Sequence, residues 1–295
     1  MTSQQAVSQT RALVLGGGGA VGIGWQVGIL TGLRAAGVDF TGNEEILGTS
    51  AGSLVGAQLS SGRDVTNAFA VLASLGESID PAAMAAGNDA FLSAMSQANL
   101  GNDSAQFLRE MGRTAVTADT IAPGVYLGLL DTFQGIAWPA GFRCTAIDVE
   151  TGELVVWDQG SGVSLQEAVA SSCAIPALFP PVAIKGRLYM DGGIVSHLNA
   201  TSVSPTDVAV VLSCHSLTSP DAEGHDAPVT SLAAEIGELS QLGGTTQLIT
   251  IEPDFGDMKV TADQMMDPNV ASQAVQMGQL QAEREATKIL NAWNL

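Results

Sequence analysis

Ser50 stands in Gly48-Thr49-Ser50-Ala51-Gly52, a G-x-S-x-G pattern with a short apolar run before it and helical spacing after it. A serine hydroxyl attacks an ester carbonyl only when it is exposed and activated. This pattern supplies both, because a strained strand-to-helix turn pushes Oγ outward and the helix N-terminus sets a partial positive charge beside it. Glycines at 48 and 52 fit the turn, since side chains two residues either side of the serine would clash. A plainer reading stands next to this one: Ser50 caps a helix and the glycines serve packing.

Upstream, Gly16-Gly17-Gly18-Gly19-Ala20-Val21-Gly22 can aim several backbone N–H groups at one point, and such a point suits an anion. An oxyanion hole for acyl transfer and a pyrophosphate cradle for a dinucleotide both fit. Gly17, Gly19 and Gly22 satisfy G-x-G-x-x-G, and Asp39 falls at the distance of a ribose contact. The second buried strand that should end at that acid is missing from the sequence pattern. A P-loop is excluded, because no Gly-Lys-Ser/Thr occurs.

The other candidate groups lie further on. Asp191 in Asp191-Gly192-Gly193 reads, on the residues alone, as a hairpin turn between apolar runs. His197 could complete a Ser-His-Asp triad with the more convenient pKa, while His215 and His225 read as structural or solvated. Cys144, Cys173 and Cys214 follow no C-x-x-C spacing and read as reduced core residues. No H-E-x-x-H, Cys/His cluster or acidic calcium loop is present, so neither a metal nor another cofactor is expected.

The elements that position these residues follow from hydrophobic periodicity. Arg11 to Leu15 is a buried strand running into the glycine loop, and Ile23, Val27, Leu30 and Leu33 mark the helix after it. Glu45 to Thr49 is a second strand, with Ala51 to Leu59 the next helix. Residues 64–122 are rich in Ala, Met and Ser, with helical patches and no clear strand, and read as a helical cap. There Met84, Phe91, Leu92 and Met95 read as core packing, with an acyl pocket as the alternative.

Phe142 to Val149 and Glu153 to Trp157 form a hairpin, Leu165 to Cys173 a helix, and Val182 to Met190 two strand pieces bent at Lys185-Gly186. Val208 to Ser213 and Gln247 to Ile251 read as fully buried strands, and Asn269 to Leu295 as an amphipathic helix with Glu283, Arg284, Glu285 and Lys288 outward. The pair Glu44-Glu45 reads as solvated surface. This alternation predicts an α/β fold with a largely parallel sheet covered by helices on both faces.

Composition narrows the partners. Eleven basic and 30 acidic side chains give a net charge of −19, a field that repels nucleic acid and anionic bilayers. Transient membrane contact through a local apolar patch stays open. No apolar run is long enough to span a bilayer, and the polar start, Met1 to Thr10, lacks the pattern of a signal peptide. The expectations are a disordered tail over 1–10, one domain over 11–295 and cytoplasmic residence, with the oligomeric state left open.

The glycine loop, the elbow, Ala170-Ser171-Ser172-Cys173-Ala174-Ile175-Pro176-Ala177-Leu178-Phe179-Pro180-Pro181 and Tyr189-Met190-Asp191-Gly192-Gly193 occur in an order that resembles the patatin-like phospholipases over about Leu13 to Asn199. The resemblance implies a three-layer α/β/α fold and hydrolysis of lipid acyl esters by a Ser-Asp dyad, with Ser50 and Asp191 at the matching positions. Gly17, Gly18 and Gly19 match the oxyanion-hole glycines. In one respect the chain departs from the family, which usually carries Arg or Lys where Val21 stands, and this implies either a preference for neutral esters or a loop held by packing instead of a cation. A catalytically inactive lipid-binding protein of the same fold is the competing expectation.

Overall fold

The computed structural model describes residues 9–42, 44–99, 104–216, 232–241, 247–255 and 260–293. In chain order the elements are β1 (Arg11–Leu15), α1 (Gly19–Ala35), β2 (Glu45–Gly48), α2 (Ala51–Ser60), α3 (Ala68–Ser78), α4 (Pro81–Asn99), α5 (Ser104–Thr117) and α6 (Pro123–Gly128). They continue with β3 (Phe142–Asp148), β4 (Leu154–Trp157), α7 (Leu165–Ser172), β5 (Val182–Ile184), β6 (Arg187–Asp191), β7 (Val208–Leu212), α8 (Leu232–Gln241), β8 (Gln247–Ile251) and α9 (Pro268–Trp293).

The strands form one sheet in the order β5-β6-β3-β2-β1-β7-β8, with β4 also paired to β3. The run from β3 to β8 is parallel, and β4, β5 and β6 add antiparallel pairs. Alternate residues leave opposite faces of the pleat, and the core divides accordingly. Leu13 and Leu15 of β1 join the cluster under α1, α2, α7 and α9, while Ala12 and Val14 join the one under α8. Toward β3 and β6 the second face is covered by α5, whose Phe107 and Met111 pack on Ile147 and Met190. Helices therefore lie on both faces of a mostly parallel sheet, as the alternation of elements predicts.

Close approach of α1 and α9 braces the first layer. Gly24 and Gly28 lie one helical turn apart, and a Cβ on either would run into the Ala271 or Val275 carbonyl. On the facing helix, a Cβ at Gly278 would meet the Trp25 carbonyl in the same way. Backbone thus packs on backbone, and large side chains such as Trp25 and Trp293 fill the space beside it.

Several expectations need correction. The 64–122 segment is helical where described, but α5 is part of the core layer rather than a cap, because Phe107, Met111 and Ala115 are buried against the sheet. Strand β8 is not fully buried: Gln247 is exposed, and Leu248 and Thr250 are partly so, since β8 is the edge strand beyond β7. Glu44 is buried and Glu45 forms an ion pair with Arg143 (2.6 Å), so this pair is not solvated surface. Within the expected tail, Thr10 is held, its N–H and Oγ1 both donating to Asp207 Oδ2. The rest of that tail call, residues 1–8, lies outside the described residues.

Candidate active site

Parallel pairing brings two loops to one end of the sheet. Leu15 of β1 lies beside Gly48 of β2, so the glycine loop and the Ser50 elbow leave adjacent strands together. Crevices beyond the C-terminal ends of parallel strands are the usual ligand positions in such sheets. Leu212 of β7 pairs with Leu15 on the other side, which delivers His215 to the same end.

The elbow is strained as its sequence demands. Ser50 has φ 51° and ψ −118°, a conformation that costs a non-glycine residue on the order of 1–3 kcal/mol. Several hydrogen bonds hold it there: Ser50 N–H donates to Ser172 Oγ (3.0 Å), and its carbonyl accepts from Ser53 Oγ (2.7 Å) and Cys173 Sγ (3.2 Å). A Cβ on Gly52 would collide with the Leu15 carbonyl, and one on Gly48 with the backbone of Gly52. The clash argument for both glycines therefore holds in the folded chain, and Ser50, although it stands at the N-cap of α2, makes no side-chain cap hydrogen bond.

Asp191 arrives from β6 by a register argument. Strand β3 pairs with β2 over Phe142 to Cys144, with β6 over Ala146 to Asp148, and with β4 over Cys144 to Ile147. A strand has two edges, and β4 overlaps both other partners, so β2 and β6 share one edge end to end. Asp191, opposite Ala146, thus sits two residues beyond the β3 partner of Gly48. Ser50 Oγ donates to Asp191 Oδ2 at 2.6 Å, and Gly193 N–H donates to Asp191 Oδ1 at 2.7 Å. Instead of a hairpin turn, Asp191 ends a strand and opens a 3-10 turn over Gly192–Ile194; the hairpin lies earlier, at Lys185-Gly186, where both residues have positive φ.

Asp191 is 2% exposed, and burial pushes its carboxyl up to about 7 against the pull of the Ser50 and Gly193 hydrogen bonds. Asn199 fixes the loop beyond it. Held at φ 50° and ψ 33°, its side-chain amide donates to Thr49 Oγ1, Thr145 Oγ1, Gly192 O and Ser196 O. One buried amide therefore ties the elbow, β3 and the Asp191 turn together. Neither Asn199 nor Ser172 was singled out in the sequence, because polar residues far apart along the chain carry no local mark of such a network.

The glycine loop abuts the elbow, since a Cβ on Gly17 would press on Ser50 Cβ at 3.3 Å. Gly17 itself is not a free donor, however. Its N–H donates to the His197 carbonyl at 2.7 Å, which sets it apart from the other two glycines expected in an oxyanion hole, Gly18 and Gly19. Neither of those has a backbone partner for its N–H among the described residues. Val21 is buried, and its N–H donates to the Met265 carbonyl (3.1 Å), so packing rather than a cation braces the loop. Asp39 takes no part: its Oδ1 accepts from Thr41 N–H and Oγ1 in a surface turn.

His197 lines the cavity at Ser50 and stacks on His215 with ring centroids 3.9 Å apart, but the hydrogen bond from Ser50 Oγ goes to Asp191. His225 lies outside the described residues. The three cysteines are free thiols, Cys144 and Cys214 buried and Cys173 partly so. Among the described residues no three His, Cys, Asp or Glu side chains gather as metal ligands, and no helix is long and apolar enough to cross a membrane.

Cavity space opens from Ser50. One chamber, with about 130 Å³ of room, is lined by Gly18, Asn88, Phe91, Leu92, Met95 and Asp191 among others. This overturns the reading of Phe91, Leu92 and Met95 as core packing alone, while Met84 lines a separate groove.

The chain is similar to several known proteins. An uncharacterized NTE family protein of Mycobacterium tuberculosis, MT2641, is 27% identical over 210 residues, covering 71% of this chain and 31% of its own length. Another from Mycobacterium bovis, Mb1092c, is 29% identical over 193 residues, covering 63% of this chain and 43% of its own. The chain thus spans well under half the length of these relatives. Among solved structures, VipD from Legionella pneumophila aligns at a TM-score of 0.47 and 15% identity, over 96% of this chain and 67% of that one. The type III effector protein ExoU aligns at 0.35 and 15% identity, over 94% and 53%. The family model described as patatin-like phospholipase matches residues 13–204. Since that match covers more than half the chain, and its bounds enclose the glycine loop, the elbow and the Asp191 strand, this protein belongs to the patatin-like phospholipase family.

Proposed function

We propose that the chain hydrolyses carboxylic esters of lipids through an acyl-enzyme on Ser50, with Asp191 as the base. The observation that carries the reading is the 2.6 Å hydrogen bond from Ser50 Oγ to a carboxylate raised by burial to about 7. An ordinary Asp, with a pKa near 3.9, is a poor proton acceptor for a serine at neutral pH. Burial brings Asp191 toward the range where a general base is both ionised and basic.

In the first step the Ser50 Oγ–acyl carbon bond forms as the proton passes to Asp191, and the negative oxygen is met by the N–H groups of Gly18 and Gly19. Asp191 then gives that proton to the departing alcohol oxygen as the carbon–oxygen bond breaks. Water repeats the sequence, losing its proton to Asp191 and releasing the acid while the proton returns to Ser50 Oγ. No metal or other cofactor enters either step.

Neutral esters are the favoured substrate class. Val21 is buried where the family usually carries a cation, and among the described residues lining the cavities at Ser50 there is no Lys or Arg to hold a phosphate. Retention of Ser50, Asp191 and their contact argues against an inactive lipid-binding role. Ser50→Ala should fold and should lose at least about 10³-fold in kcat on a p-nitrophenyl ester. Wild-type rates from that variant would reject the proposal.

A further inference from the structure

Two chambers rather than one meet at Ser50. The first holds Asp191 and is also lined by Asn88, Leu92, Met95, His197 and His215. A second, with about 60 Å³ of room, runs between α2, α3 and α6 and is lined by Leu54, Val71, Leu72, Leu75, Tyr126 and Leu129. They share Gly19, Ser50, Ile175 and Met266, so the serine stands at the fork. Asp191 lines only the first.

Polarity separates the chambers further. None of the described residues lining the second carries a charge. Tyr126 presents its ring, stacked on Phe179 at 5.1 Å, while its hydroxyl donates to the Ala170 carbonyl at 2.9 Å. The Cys173 thiol, pushed by burial up to about 12, stays neutral. Two histidines and an asparagine, by contrast, line the first chamber.

Resting on the ester-hydrolase reading above, we infer that the second chamber binds the acyl chain of the substrate and the first binds its alcohol portion. The assignment follows from where the proton must go. The departing alcohol oxygen takes its proton from Asp191, so the alcohol must lie in the chamber that Asp191 lines. The acyl carbon bonded to Ser50 then directs its chain the other way, into the space between α2, α3 and α6. That space is apolar throughout, which suits a hydrocarbon chain. The site is thus built for an ester with an apolar acyl chain and a bulkier, more polar alcohol.

Leu129 is partly exposed and lines the second chamber alone, so Leu129→Trp obstructs it from the rim, and Leu72→Trp obstructs it from α3. Leu92→Trp obstructs the first chamber. The 295-residue wild type and its variants are assayed on p-nitrophenyl acetate and octanoate, which vary the acyl chain. Phenyl and naphthyl acetate vary the alcohol. In both acyl-chamber variants the octanoate-to-acetate ratio of kcat/KM should fall at least ~10-fold, as expected when a few methylenes lose their pocket. In Leu92→Trp that ratio should stay within ~2-fold of wild type while the naphthyl-to-phenyl ratio falls.

Fluorophosphonate labelling of Ser50 in each variant shows that its site is intact before the ratios are compared. An exchanged pattern, or an unchanged acyl ratio in both Leu129→Trp and Leu72→Trp, overturns the assignment while leaving the hydrolase reading in place. A wild-type protein that cleaves none of the esters and takes no label overturns the hydrolase reading, and the assignment with it.

Discussion

Replacing Asp191 by Asn should remove turnover and make the protein more stable, by an amount that depends on pH. The carboxyl is raised from 3.8 to about 7, because a buried anion is poorly compensated by the two hydrogen bonds it accepts. With the folded value above the unfolded one, the stability contributed by the protonated acid is fully present below pH 4. It is lost as pH rises through 7. Each pH unit within that window costs about 1.4 kcal/mol, so holding Asp191 ionised costs about 4 kcal/mol at pH 8. Asn has nearly the same shape, its carbonyl oxygen still accepts from Gly193 N–H while its amide donates to Ser50 Oγ, and it bears no such cost. Urea unfolding of both proteins at pH 5, 6, 7 and 8 isolates the effect as a difference, which cancels the titration of the other carboxylates. The gap in favour of Asp191→Asn should widen by about 2 to 3 kcal/mol from pH 5 to 8. A pH-independent gap would show that Asp191 titrates normally and would refute the burial argument.

The acid limb of kcat/KM on a neutral ester should have its midpoint near pH 7, falling about tenfold per unit below it, because Asp191 must be ionised to accept the Ser50 proton. His197→Ala should keep that limb and lose less than about tenfold in kcat, whereas disappearance of the limb in this variant would restore the histidine triad. Gly52→Ala should destabilise the fold by about 3 kcal/mol or more, because its Cβ meets the Leu15 carbonyl. Gly76→Ala, in open space on α3, should be neutral or stabilising by up to about 1 kcal/mol; equal effects in thermal unfolding would refute the packing account.

What the sequence made legible was local. A strand, a turn and a helix within a dozen residues announce an elbow, since the backbone strain at Ser50 and the space it needs are written in Gly48 and Gly52. The glycine loop was legible for the same reason, but which of its N–H groups stays open was not: His197, far along the chain, supplies the carbonyl that occupies Gly17. Asn199, Ser172 and Thr145 were silent because each looks like an ordinary polar residue until the sheet brings them together. Asp191-Gly192 left a hairpin open as the alternative, since Asp-Gly supports both that turn and the Asx-type contact to Gly193 seen here. Phe91, Leu92 and Met95 were ambiguous in principle: helical spacing marks an apolar face, and only packing decides whether a helix or a cavity lies opposite. Glycines 24 and 28 were passed over in the sequence, because nothing in a spacing of one helical turn names α9 as the helix packed against them.

The central claim is that Ser50 becomes acylated with Asp191 alone as its base. Rapid mixing with an excess of p-nitrophenyl octanoate, acid quenching and mass spectrometry of the digested protein test it most directly. The account predicts a peptide containing Ser50 that carries one octanoyl group in wild type and in His197→Ala, and none in Ser50→Ala or Asp191→Asn. An octanoyl group on another residue, or acylation of Ser50 that survives Asp191→Asn and vanishes in His197→Ala, would contradict it.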